Sequence, residues 1–188
     1  MNYNWKTALE AAIKRNRRDA HHRYLQLATL REDGSPANRT LVFRGFAQDS
    51  DCLQMVTDAR SEKPDQIRRD ARAEICWYFT GSREQFRLQG SLSIVAGTPA
   101  EEPAVQDARR ALWSALSGPA RAQFFWAAPG QPVEVVDELP QTDAVPDHFL
   151  LLVFDPFRVD HLRLAADPQQ RRLSLRKAGE WQAQAVNP

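Results

Sequence analysis

From Tyr24 to Leu30 (YLQLATL) apolar and polar positions alternate with the period of a half-buried strand. The run closes on REDGSP, where Asp33-Gly34 and Pro36 signal a turn. Two further runs, Thr40 to Phe46 and Cys52 to Thr57, are rich in β-branched and aromatic residues. A polar turn joins them, so a hairpin is predicted. Ala73 to Thr80 is a dense β run, and Gly81-Ser82 turns it into the alternating stretch Glu84 to Val95. There Gln85, Arg87 and Gln89 share one face, opposite Phe86 and Leu88. Gly90 within that strand predicts a bulge or a close approach by other backbone. His148 to Phe154 is the most apolar strand, Asp155-Pro156 bends it, and Phe157 to Leu164 continues it. A last hairpin joins Arg171–Arg176 to Trp181–Val186 through residues 177–180.

Helical spacing appears in three places. Trp5, Leu9, Ala12 and Ile13 place an amphipathic helix over residues 4 to about 18. Residues 61–72 begin with Ser61, carry Pro64 in the first turn and have Ile67 as their main apolar contact, the pattern of a short capped helix. Within 97–117, Val105, Ala108, Leu112, Trp113 and Leu116 predict three to four turns, stopped by Gly118-Pro119. Arg121 to Trp126 resumes briefly, and residues 127–147, rich in proline and acid, form a loop. About nine short strands linked mostly by turns, with two or three helices, predict a mainly β fold. An antiparallel sheet curls into a barrel with peripheral helices, as a single domain over residues 1–188.

Composition narrows the function. At 188 residues the chain can bury roughly 70% of its unfolded surface, enough for a core without staples. Lys+Arg 25 against Asp+Glu 24 leaves a formal charge of +1, so no overall field draws it to nucleic acid or an anionic membrane. Cys52 and Cys76 lie in strand-like settings without CxxC or ligand spacing, which predicts buried reduced thiols and a cytoplasmic protein. The N-terminus lacks a signal-peptide core, and no run approaches the ~18 apolar residues of a membrane span. Neither GxGxxG nor GxxxxGK[ST] is present.

One local feature is chemical. Arg39 and Arg44 lie five apart on one strand, and Thr57, Ser61 and Lys63 follow the next at the start of a helix. Hydroxyls and cations converging there suit a phosphate monoester.

The run Arg39-Thr40-Leu41-Val42-Phe43-Arg44, then Thr57-Asp58 with Ser61 and Lys63, then Gln85 ahead of Gly90, resembles the flavin mononucleotide (FMN) site of pyridoxamine 5'-phosphate oxidases. The segment from Phe125 to Gln131 is similar to the loop by which the partner subunit closes over the flavin phosphate in that family. Element order resembles the Alr4036-type branch. The resemblance implies a six-stranded-type split β-barrel and a homodimer with FMN at its interface. It implies that Arg39, Ser61 and Lys63 hold the phosphate, with Thr57, Thr40 and Leu41 nearby. Arg44 and Gln85 would lie along the ring, Trp126 would either stack on the ring or pack as core or interface, and Gln131 would come from the second subunit.

A departure concerns the substrate. The oxidases use an arginine and a histidine two residues apart, where this chain has Arg158 and Asp160, with His161 displaced by one. HFLLLVF also lacks the tryptophan expected there. A carboxylate facing the pocket would repel a phosphorylated substrate, which points to an unphosphorylated small molecule. Two readings stand: a flavin-dependent oxidoreductase, or a non-enzymatic flavin or haem carrier or stress protein on the same barrel. None of His21, His22, His148 or His161 shows a pocket signature for an axial haem ligand.

Overall fold

The computed structural model describes residues 3–132 and 144–188. Among these the chain runs α1 (Trp5–Arg15), β1 (Tyr24–Leu30), β2 (Pro36–Val42), β3 (Gly45–Phe46), β4 (Leu53–Asp58), α2 (Lys63–Arg69), β5 (Arg72–Phe79) and β6 (Glu84–Val95). It continues with α3 (Pro103–Ala115), α4 (Gly118–Ala122), a 3-10 turn Gln123–Phe125, β7 (Phe149–Arg163), β8 (Gln170–Lys177) and β9 (Glu180–Val186). All nine strands join one antiparallel sheet in the order β2-β1-β5-β6-β7-β4-β3, and the β8–β9 hairpin hangs from β7. The expected barrel with peripheral helices is what forms.

The run Thr40 to Phe46 is not one strand of a simple hairpin. It breaks at Phe43 and Arg44: β2 pairs with β1, and β3 pairs with β4. The break closes the barrel. Phe43 N–H donates to Arg23 O at 2.8 Å on one side, and Arg44 N–H donates to Gln54 O at 2.8 Å on the other. Gly45 then turns the corner at φ +150°, a conformation that side chains resist. Counted as two halves of one strand, β2 and β3 complete a six-membered wall with β1, β5, β6, β7 and β4.

Gly90 does mark a bulge, because the β6–β7 register shifts between Gln89 and Gly90. A Cβ there would lie 2.4 Å from Asp155 O and 2.6 Å from the Phe154 ring. The partner residue is Pro156, which has no N–H to contribute. A single 15-residue β7 can therefore bend without breaking.

α1 ends at Arg15, earlier than the spacing predicts, for a side-chain reason. Asn16 is 7% exposed, donates to Ala12 O at 2.8 Å and to Ser82 Oγ at 2.9 Å, and accepts from Ser82 N–H at 3.0 Å. It thereby ties the helix to the β5–β6 turn. Gly118-Pro119 does not stop α3. Leu116 already caps it, and Pro119 sits in the first turn of α4.

Trp5, Leu9 and Ala12 of α1 seal one end of the barrel against a core of Phe43, Trp77, Phe79, Phe86 and Phe154. A second cluster, Trp113, Leu116, Phe124 and Phe149, packs α3 and the α4 segment outside the wall. Arg109 is buried among them and donates to Phe149 O at 2.8 Å and to Pro146 O at 2.7 Å. Cys52 and Cys76 are free, as expected, but half-buried rather than buried. Burial raises both thiols above their ordinary range. Of the predicted loop, residues 133–143 lie outside the described residues. No helix among the described residues is long and apolar enough to cross a membrane.

Candidate functional site

The barrel seam and the α4 segment enclose a cleft of about 650 Å³. One wall is Thr40, Leu41 and Arg44 with Val56 and Thr57, and the other is Phe124, Trp126 and Pro129. Three segments distant in sequence meet there. β2 arrives because it pairs with β1, and β4 because it is held by β7. The Trp126 segment is stapled by Arg60, a residue the sequence reading passed over. Arg60 pairs with Asp58 at 2.6 Å and donates to Phe124 O at 3.1 Å and Trp126 O at 3.0 Å. His148 Nε2 donates to Phe124 O at 2.5 Å from the other side.

Two buried polar atoms in this cleft have no partner among the described residues: Arg44 Nε and Thr57 Oγ1. Thr57 is 5% exposed. An unmet buried donor costs free energy, so such a pair marks a place where a ligand supplies the missing bonds. Burial, and then the neighbouring Arg23, hold Arg44 below the usual guanidinium range. Lys63 is likewise pushed down, first by desolvation and second by the charge of Arg39 beside it. Lys63, like Arg39 and Ser61, is not among the residues lining the cleft, so of the expected cations Arg44 alone does so.

The other expected residues are placed as follows. Arg39 does not line the cleft. Its guanidinium donates to Thr29 Oγ1 at 2.5 Å, Gln66 Oε1 at 2.9 Å and Leu27 O at 3.4 Å, which braces α2 against β1. Ser61 does not cap α2. Glu62 stands at the cap position without a side-chain bond, and the Ser61 hydroxyl donates to Asp58 O at 2.8 Å. Trp126 is 52% exposed on the cleft rim and is not core within this chain. Gln131 is exposed beyond it, its N–H on Ala128 O at 3.2 Å. Gln85 is half-buried on the outer sheet face, paired with Tyr78 and Leu162. Continuing the β1–β5 register puts Tyr24 and Tyr78 in the same row, so Gln85 lies two strands, about 10 Å, from the cleft residue Tyr24.

Asp160 is not free to face a substrate. It is 5% exposed, accepts two bonds from Arg171 at 3.0 and 2.7 Å, and takes a third from Arg87 at 2.5 Å. With two guanidiniums on one carboxylate, the cluster is net positive and the expected repulsion of a phosphate is removed. Arg158 is half-buried two residues before it, opposite Gln89 and Leu175. His161 does sit in a recess after all. It is 3% exposed, with Nε2 at 3.1 Å from Glu84 and Nδ1 at 2.7 Å from the Tyr3 hydroxyl.

An antiparallel barrel whose seam carries two unmet buried polar atoms and a desolvated arginine beside an open cleft defines a split-barrel protein with a site for a polar ligand. Residues 2–96 match the family described as pyridoxamine 5'-phosphate oxidase, FMN-binding domain. The chain belongs to this family, and its cofactor is FMN. It is similar to "Pyridoxine/pyridoxamine 5'-phosphate oxidase 2" of Arabidopsis thaliana, 35% identical over 98% of this chain and 96% of the relative. A pyridoxamine 5'-phosphate oxidase-related, FMN-binding protein of Nostoc punctiforme is 44% identical, with a TM-score of 0.89 and all of both chains covered. PhzG of Burkholderia lata shares the fold at 19% identity, with a TM-score of 0.74 over 97% of this chain and 91% of that one.

Proposed function

We propose that this chain is an FMN-dependent oxidoreductase acting on a small molecule, working as a homodimer with the cofactor at the seam between protomers. The observation that carries the reading is that two residues lining one cleft, Arg44 and Thr57, each hold a buried polar atom without a partner among the described residues. Bound there, FMN supplies the capacity to accept and return a hydride. The protein supplies grip, orientation and exclusion of water.

Lys63 provides the desolvated charge for the phosphate dianion, with Arg39 beside it adding field and holding α2 in place. Ser61 joins by turning its hydroxyl away from Asp58 O. Thr40 and Leu41 form the floor and Thr57 contributes its hydroxyl. Arg44 directs an N–H at the ring, where a cation favours a reduced, anionic form. Gln85 lies along the ring's far end, Trp126 covers it, and Gln131 reaches the cofactor of the second protomer. Tyr24, Tyr78 and Phe157, each more than 40% exposed, make the outer face apolar enough for a second copy to cover.

Arg158 and the Arg87–Asp160–Arg171 cluster border that face and favour a substrate with a negative group. The relative named as a pyridoxine/pyridoxamine 5'-phosphate oxidase makes those vitamer phosphates the first substrates to test. A haem carrier finds no support among the histidines described. Both nitrogens of His161 are engaged, and His148 Nε2 is held by Phe124 O.

Titrating purified protein with FMN while following flavin fluorescence, with light scattering for mass, tests the proposal. Saturable binding by a dimer, with oxygen consumed on adding pyridoxine 5'-phosphate or pyridoxamine 5'-phosphate, is expected. A protein that leaves FMN free in solution refutes the site. A flavin-loaded monomer refutes the shared seam.

A further inference from the structure

The two walls of the flavin cleft differ in how they are held. The Thr40–Arg44 and Val56–Thr57 side belongs to the sheet, where ladder bonds fix it. The opposite side rests on α4, five residues long, and a 3-10 turn of three. Elements that short are not stable by themselves. Phe124 anchors the turn, its ring edge-on to Trp113 at 5.7 Å and to Phe149 at 5.0 Å. Past Phe124 the chain leaves that core, and Trp126 stands exposed on the rim. What fixes the wall there must come from elsewhere.

Arg60 supplies it. Two residues beyond the end of β4, its backbone N–H and its Nε donate to Asp58 Oδ1 at 2.8 and 3.0 Å, and Nη2 donates to Asp58 Oδ2 at 2.6 Å. Nη2 also donates to Phe124 O at 3.1 Å, and Nη1 donates to Trp126 O at 3.0 Å. Every guanidinium nitrogen is engaged. Desolvation pushes the Asp58 carboxyl up, but the bonds from Arg60 outweigh it and hold that group below its ordinary range. Asp58 itself lines the cleft next to Thr57, so one rigid fork spans from the sheet wall to the opposite wall. A second strut crosses beside it: His148 Nε2 donates to the same Phe124 O, and Ala59 N–H donates to His148 O at 2.8 Å. Neither Arg60 nor His148 lines the cleft. Their effect on a ligand passes through the wall they hold.

We propose that Arg60 is a positioning residue of the flavin cleft: by bridging Asp58 to the carbonyls of Phe124 and Trp126, it sets the gap between the walls and so governs how fast FMN leaves. The inference rests on FMN occupying this cleft, as proposed above. Arg60 acts without touching the cofactor, and Trp126 is the side chain through which it acts.

The test follows FMN release by the recovery of flavin fluorescence after rapid dilution of flavin-loaded protein. Arg60→Gln should release FMN at least fivefold faster than the parent. Arg60→Lys should do the same, because an ammonium keeps the charge beside Asp58 but cannot span both carbonyls. That variant also retains the ion pair, so it decides the matter if Arg60→Gln does not fold. Trp126→Ala should speed release as well, and adding Arg60→Lys to it should change the rate less than twofold, since the cover that Arg60 aims is already gone. A merely structural arginine would instead multiply the two effects. Acceleration below fivefold in Arg60→Lys, or effects that multiply in the double variant, overturns the inference while leaving the flavin site intact. A parent protein that binds no FMN overturns both.

Discussion

Replacing Thr57 by valine separates two quantities that usually fall together. The side chain is 5% exposed, and its hydroxyl has no partner among the described residues. Burying a hydroxyl without a hydrogen bond costs about 1–3 kcal/mol, and valine keeps the shape while removing the group that incurs it. Flavin-free Thr57→Val should therefore be the more stable protein by about 1 kcal/mol, a rise of roughly 2–4 °C in Tm for a chain of this size. FMN binding should move the other way. Losing a hydrogen bond to a charged or strongly polar acceptor costs about 1.5–3 kcal/mol, so Kd should rise roughly 10- to 100-fold. Thermal melts of the flavin-free protein and a fluorescence titration with FMN read the two effects separately. A lower Tm together with an unchanged Kd would show that the hydroxyl is structural and that the cofactor lies elsewhere.

Three further outcomes are expected. Lys63→Ala should weaken FMN by about 1–3 kcal/mol with little change in the flavin-free Tm, whereas Arg39→Ala should lower both, because its donors hold Thr29 and Gln66; paired melts and titrations check this. Gly90→Ala should cost about 1–3 kcal/mol by denaturant unfolding, since the new methyl meets Asp155 O at 2.4 Å; an unchanged midpoint would show that the bulge yields freely. Glu84 is held near 2 against an ordinary 4.5, so its contribution is complete above about pH 4.5 and disappears as pH falls toward 2. Glu84→Gln should flatten that part of the acid-unfolding curve, and an identical acid limb in both proteins would contradict the buried network.

Strand periodicity carried most of the fold. β1 and β6 fall where the alternation of YLQLATL and EQFRLQGSLSIV puts them, because each packs one face on a single core and periodicity reports that directly. The seam was not legible. RTLVFRGF reads as one strand, and its division between β1 and β4 is set by partners distant in sequence. Side-chain caps shifted the helix ends for the same reason: Asn16 answers to Ser82, which no local window sees. In the cleft, residue types pointed to Arg44 and Thr57, and the missing partners appear only once the walls are assembled. Arg60 and Arg109 bind carbonyls of remote loops and carry no signal in the chain, while Asp160 looked like an exposed repulsive charge until two arginines from neighbouring strands enclosed it.

The junction at Phe43 and Arg44 has a mechanical consequence. The same two amides that zip the wall shut also fix the backbone from which the Arg44 guanidinium projects. With FMN placed as proposed, widening the cleft at that point means unlatching the cylinder itself, so cofactor exchange should run no faster than the fluctuations that let deuterium reach those two amides.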